Sequence, residues 1–149
     1  VFTDELTPEE RAAIEAEVLG RLAEVSPLTV HTGPEVLASD SVYLPIGPLE
    51  PLAELRAVIR AGILAVLDES RLYALPGQET DVFEPHVSIA YCNADGPSDP
   101  LRERLARVDV GPVELRIKHV SLLSLRNDDH KWSWSDEVRI PVGRNQLGE

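Results

Sequence analysis

At 149 residues with 43% hydrophobic content, the chain is long enough for one domain, or for two small lobes that share a core. Its 14 basic against 26 acidic residues leave a net charge of -12, which excludes an extended nucleic-acid track, because that needs Lys and Arg along many phosphates. A single cysteine, Cys92, excludes an internal disulfide, no Cys/His cluster has zinc spacing, and no apolar run approaches the roughly 18 residues of a membrane span.

A cytoplasmic, monomeric protein is expected, one that still has room for a small nucleotide or an RNA end. The first residue is Val1, and an amphipathic helix follows almost at once, so a natural start upstream is expected. Thr7-Pro8-Glu9-Glu10 reads as a helix start, with Thr7 as N-cap, Pro8 at the first helical position and Glu10 closing a capping box. Ile14, Val18, Leu22 and Val25 recur at three- and four-residue steps and carry the helix to about Val25.

Ser26-Pro27 stops that helix, Leu28 to Thr32 alternates as a strand, Gly33-Pro34 bends the chain, and Val36-Leu37 resumes it. Val42 to Ile46 returns antiparallel. A second helix follows from about Glu50 to Asp68, apolar enough to predict packing against a sheet, with Gly62 permitting a close approach. Residues 69–84, with Pro76-Gly77, read as a loop.

Glu84 to Tyr91 is a strand in which His86 and Ser88 stand two apart and share one face. Pro85 is placed at its start, where a missing N–H breaks no ladder bond. The alternation sets Val87, Ile89 and Tyr91 on the opposite, core-facing side. An imidazole titrating near neutral pH beside a hydroxyl that can hold a phosphoryl oxygen suits phosphate chemistry. The plain alternative is a structural histidine on a strand.

After Tyr91, Asp99 caps a short helix with Leu101 and Leu105 facing inward. A strand from Val113 to Leu125 follows, with a bulge to change its parity, then a turn at Asn127-Asp128-Asp129, a last strand from Trp132 to Val142, and a fraying tail. The second half thus runs strand, helix, strand, strand, and the first runs helix, strand, strand. As structural repeats, the halves leave a strand unaccounted for before Val1.

With these elements in place, Phe83-Glu84-Pro85-His86-Val87-Ser88-Ile89-Ala90-Tyr91 and the closing Trp132 to Val142 strand resemble the two-histidine (2H) phosphoesterases, in particular the 2′-5′ RNA ligase-like and cyclic phosphodiesterase-like proteins. The resemblance covers nearly the whole chain. It implies an α+β, two-lobed, pseudo-twofold fold with antiparallel sheets around a central cleft and helices outside. The lobes would span about 1–68, lacking its first strand, and 83–143, joined by a loop at 69–82.

The resemblance implies acid/base catalysis by His86 and phosphate binding by Ser88, with Tyr91 and Arg126 as substrate contacts and with no metal or cofactor. The substrate would be a 2′-5′ or 2′,3′-cyclic phosphodiester in a small nucleotide or RNA end. The family uses two His-x-Thr/Ser motifs, and the second here is expected upstream of Val1. A chain with one motif also fits a catalytically incomplete domain that binds a nucleotide or a protein.

His119-Val120-Ser121 repeats the string but lies in the same half as His86, so it reads as a decoy. His31 and His130 read as surface residues. For Tyr91, packing in the core competes with base stacking. For Arg126, surface ion pairing competes with phosphate binding. Trp132 and Trp134 share a face and read as core, and the acidic residues form a solvated surface without metal-loop spacing.

Overall fold

The computed structural model describes residues 1–73, 83–92, 94–108, 111–128 and 131–144, with the side chains of Tyr73 and Asn127 set aside. The predicted loop around Pro76-Gly77, Asp129 of the predicted turn, His130 and the predicted tail beyond Arg144 lie outside them. Among the described residues, no helix is long and apolar enough to cross a membrane.

The elements in order are β1 (Phe2–Thr3), α1 (Pro8–Leu22), β2 (Leu28–Thr32), β3 (Val36–Leu37), β4 (Ser41–Gly47), α2 (Leu49–Leu64), β5 (Leu72–Tyr73), β6 (His86–Tyr91), α3 (Asp99–Leu105), β7 (Glu114–Ile117), β8 (His119–Asp128) and β9 (Lys131–Pro141). This is the expected α+β class with antiparallel sheets.

The capping box forms as the sequence predicts. Thr7 Oγ1 accepts from the Glu10 amide at 3.2 Å, and Glu10 Oε2 accepts from the Thr7 amide at 2.9 Å. Helix α1 ends at Leu22 rather than Val25. Its Leu22 carbonyl accepts from the Val25 amide at 3.1 Å and from the Gly143 amide at 2.8 Å, so the segment after β9 is tied to the helix end. Gly143 has φ +87, where glycine carries no steric penalty.

Helix α2 shares the core with Ile140 of β9 through Leu55 and Ile63, in line with the expected packing over a sheet, and it also lies close against α1. Gly62 allows that close approach: a Cβ there would stand 2.8 Å from Val18 Cγ2 and 3.2 Å from Val18 Cα, so only a bare backbone allows this helix crossing. Ile14, Val18 and Leu22 of α1, Leu55 and Ile63 of α2, Leu67 beyond it, Ile140 of β9 and Val142 just past β9 form the core. Arg11 ties α1 to the hairpin by donating to the carbonyls of Leu122 and Asp136. The latter residue, at φ 53, lies where the β8–β9 register shifts.

Arg71 holds the opposite end of α1. It donates to Asp4, to the Glu5 carbonyl and to both oxygens of Glu10. Its guanidinium beside Glu10, together with the Thr7 amide, holds the Glu10 carboxyl below the usual range. A carboxyl lowered in the folded state contributes stability above its unfolded pKa and loses it as pH falls through the folded value. Arg71→Ala should therefore lower Tm most at neutral pH, and the gap from the parent should narrow as pH falls below 4.5. Thermal unfolding followed by circular dichroism between pH 7 and pH 3 checks this; a gap independent of pH would dismiss the ion pair as its source.

The predicted strand from Val113 to Leu125 is two strands in two sheets. β7 pairs with β2, whereas β8 pairs with β9 in a hairpin, and the chain changes sheet at Lys118. The parity change foreseen as a bulge is this break. Trp132 and Trp134, expected in the core, are not buried, and Trp134 is 63% exposed. Paired positions place both on the hairpin face opposite Val120, Leu122, Val138 and Ile140, and those four are the residues that pack toward the core. Short α3 buries none of its residues, so Leu101 does not face inward as expected.

Candidate functional site

The site is built on the sheet that contains β6. One edge of β4 pairs with β3 near Tyr43 and with β2 near Ile46, which leaves the other edge for β6. Pro85 stands just before β6, and its carbonyl accepts from the Ile46 amide at 2.9 Å. At the far end the Cys92 amide donates to the Asp40 carbonyl at 2.7 Å. These bonds fix the register of a strand whose six residues are all exposed.

That register decides what shares the face of His86. Pro45 stands opposite His86, Tyr43 opposite Ser88 and Ser41 opposite Tyr91. Directly opposed residues point to the same side, and Ser41, Tyr43 and Pro45 alternate along β4, so His86, Ser88 and Tyr91 share one face. Simple alternation along β6 put Tyr91 with Val87 and Ile89. The structure corrects this, because the pairing slips by one residue between Val42 and Tyr43 and leaves Ile89 as an unpaired bulge.

The hydrogen bonds agree with that assignment. Ser88 Oγ lies 2.8 Å from Tyr91 Oη. His86 Nδ1 lies 2.7 Å from the Glu84 carbonyl oxygen. A carbonyl only accepts, so Nδ1 carries the proton in this bond and Nε2 of the neutral ring is left with its lone pair free. The Tyr43 ring stands 5.1 Å from the imidazole at 54°, which limits the tilt of the imidazole. Tyr43 is the site residue that sequence reasoning missed. Its alternation with Pro45 was visible, but its place opposite Ser88 depends on the β4–β6 register.

The same reasoning extends across the sheet. His31 opposes Gly47, which alternates with Pro45 and Tyr43, so His31 is an exposed residue on the face of His86, two strands away. Arg116 opposes Thr29 and joins the same face. Val30, Thr32 and Val42 occupy the reverse, buried side. Val87 and Ile89, expected in the core, are 40% and 57% exposed, because β6 is the rim strand and burial is concentrated farther in.

Arg126 stands apart from this group. It is an exposed residue of the β8–β9 hairpin, opposite Ser133. His119 begins the same hairpin, opposite Pro141, in a different sheet from His86. Ser121 donates to Glu137 at 2.7 Å, so this second His-Val-Ser string has its hydroxyl committed to a carboxylate. Among the described residues, no three His, Cys, Asp or Glu side chains gather as a metal-holding group.

Comparison with known proteins supplies the family. The model of the 2′-5′ RNA ligase superfamily matches residues 1–129. The chain belongs to the 2′-5′ RNA ligase superfamily. Membership agrees with the 2H phosphoesterase resemblance carried by the His86 strand. Among solved structures, the crystal structure of TT0787 of Thermus thermophilus shares the fold with a TM-score of 0.59 at 18% identity, over 98% of this chain and 76% of that one. No curated protein is significantly similar.

Proposed function

We propose that this superfamily member is a metal-independent phosphoesterase acting on 2′-5′ or 2′,3′-cyclic phosphodiester linkages of a small nucleotide or RNA end. The observation that carries the reading is the Nδ1–H bond from His86 to the Glu84 carbonyl, which leaves Nε2 free on an open face shared with the Ser88 hydroxyl. Nε2 takes the proton from the attacking water or ribose hydroxyl as its oxygen bonds to phosphorus. Meanwhile the P–O bond to the departing ribose oxygen breaks, and that oxygen takes a proton from a second proton-transfer group or from solvent. Ser88 Oγ donates to a non-bridging phosphoryl oxygen. Tyr91 Oη donates to Ser88 Oγ, which orients that hydroxyl and leaves its proton for the phosphate. Arg126, exposed on the β8–β9 hairpin, is a further candidate to hold a substrate phosphate.

The competing reading is a catalytically incomplete domain that binds a nucleotide or a protein partner. Turnover separates the two. The chain is expected to open a nucleoside 2′,3′-cyclic phosphate, or to cleave a 2′-5′ dinucleotide, at the same rate with and without excess EDTA. Loss of turnover on chelation would replace the histidine mechanism with a metal-dependent one. Nucleotide binding with no turnover would favour the incomplete domain.

A further inference from the structure

Beside the His86 face lies a cavity of about 300 Å³, walled by Tyr43, Pro45, Leu49, Phe83 and Pro85 with Glu84 among its lining residues. We infer that this cavity is a nucleobase subsite, and that it selects substrates carrying a base next to the scissile phosphate. The inference rests on the phosphodiesterase reading for the phosphate and on the cavity itself for the base. Tyr43 belongs to both places: it walls the cavity, and its ring stands 5.1 Å from that of His86. Pro45, another wall of the cavity, stands opposite His86 in the strand pair, so the cavity adjoins the proposed phosphate site as a base adjoins its ribose phosphate.

The lining decides which part of a nucleotide enters. It contains one carboxylate and no cation, so a phosphate would be repelled, whereas a neutral planar ring meets two aromatic side chains and two prolines. The volume stands at the lower end of small-molecule pockets, enough for a single base but not for a dinucleotide. Phe83 does not stand free: the Arg56 guanidinium lies 5.2 Å from its ring centroid and supports it from α2. Stacking on aromatic side chains tolerates any base, so discrimination between bases is expected to be weak.

Leu49 tests the subsite, because it begins α2, is 55% exposed, and can be enlarged without disturbing the core. Leu49→Trp fills the cavity, and Phe83→Ala removes a stacking wall. Both variants should weaken adenosine binding, measured by NMR titration of the full chain, by about tenfold or more, and His86→Ala should leave it within about twofold. Both should raise KM for a nucleoside 2′,3′-cyclic phosphate by a similar factor while leaving turnover of a base-free five-membered cyclic phosphodiester unchanged. Adenosine binding that is absent in the parent, or indifferent to both variants, overturns the subsite. Adenosine binding sensitive to Leu49→Trp in a chain that hydrolyses neither substrate keeps the subsite and removes the phosphodiesterase reading.

Discussion

Replacing His86 by alanine is expected to lower kcat for a nucleoside 2′,3′-cyclic phosphate by about 10²- to 10⁴-fold, the usual contribution of a proton-transfer group, while KM changes by no more than a few-fold. The asymmetry follows from geometry. His86 is an exposed residue at the start of β6, so its removal opens no core cavity, and Ser88, held by Tyr91, still offers the phosphate its hydroxyl. Steady-state kinetics on the parent and the variant, with thermal unfolding to show that both fold, is the measurement. Unchanged kcat would remove the residue on which the proposed mechanism depends. The same assay locates the second proton-transfer group. A chain extended upstream of Val1 should be faster by a comparable factor if the upstream segment carries the partner imidazole. Equal rates would place the partner within the 149 residues, His31 first because it shares the face of His86, then His119 on the separate hairpin.

Leu22→Ala is expected to destabilise the protein by about 2–5 kcal/mol, the range for truncating a large side chain in a packed core. Leu22 has 0% exposure and stands at the end of α1, in one cluster with residues of α2, with Ile140 of β9 and with Val142 just past it. A cavity there lies between segments distant in sequence that collapse cannot readily close. Urea unfolding gives the value. Leu19→Ala, on the same helix at 43% exposure, is the control and should stay within about 0.5 kcal/mol. Equal losses for the two would mean that the residues around Leu22 are not a packed core.

Helix α1 was legible from the sequence because its determinants lie within a few residues of one another. Thr7, Pro8 and Glu10 specify the start by their own hydrogen-bonding capacity, and Ile14, Val18 and Leu22 mark the buried side by their spacing. The pairing of His86 with Ser88 on one face was legible for the same reason, since strand alternation is a property of the backbone at consecutive residues. The family resemblance drew on that stretch together with the closing Trp132 to Val142 strand.

The tertiary structure decided what depends on contacts between distant segments. Tyr91 joined the His86 face because pairing with β4 inserts a bulge at Ile89, and a one-residue slip reverses the side on which every later residue points. Tyr43, His31 and Arg116 reached that face through the registers of three strand pairs, none of which a local pattern encodes. Trp134 reads as core from its chemistry alone, yet it lies on the face of a hairpin whose other face packs toward the core. Hydropathy and spacing state what a side chain prefers. Burial follows from which neighbours the register and the helix crossing at Gly62 bring to cover it.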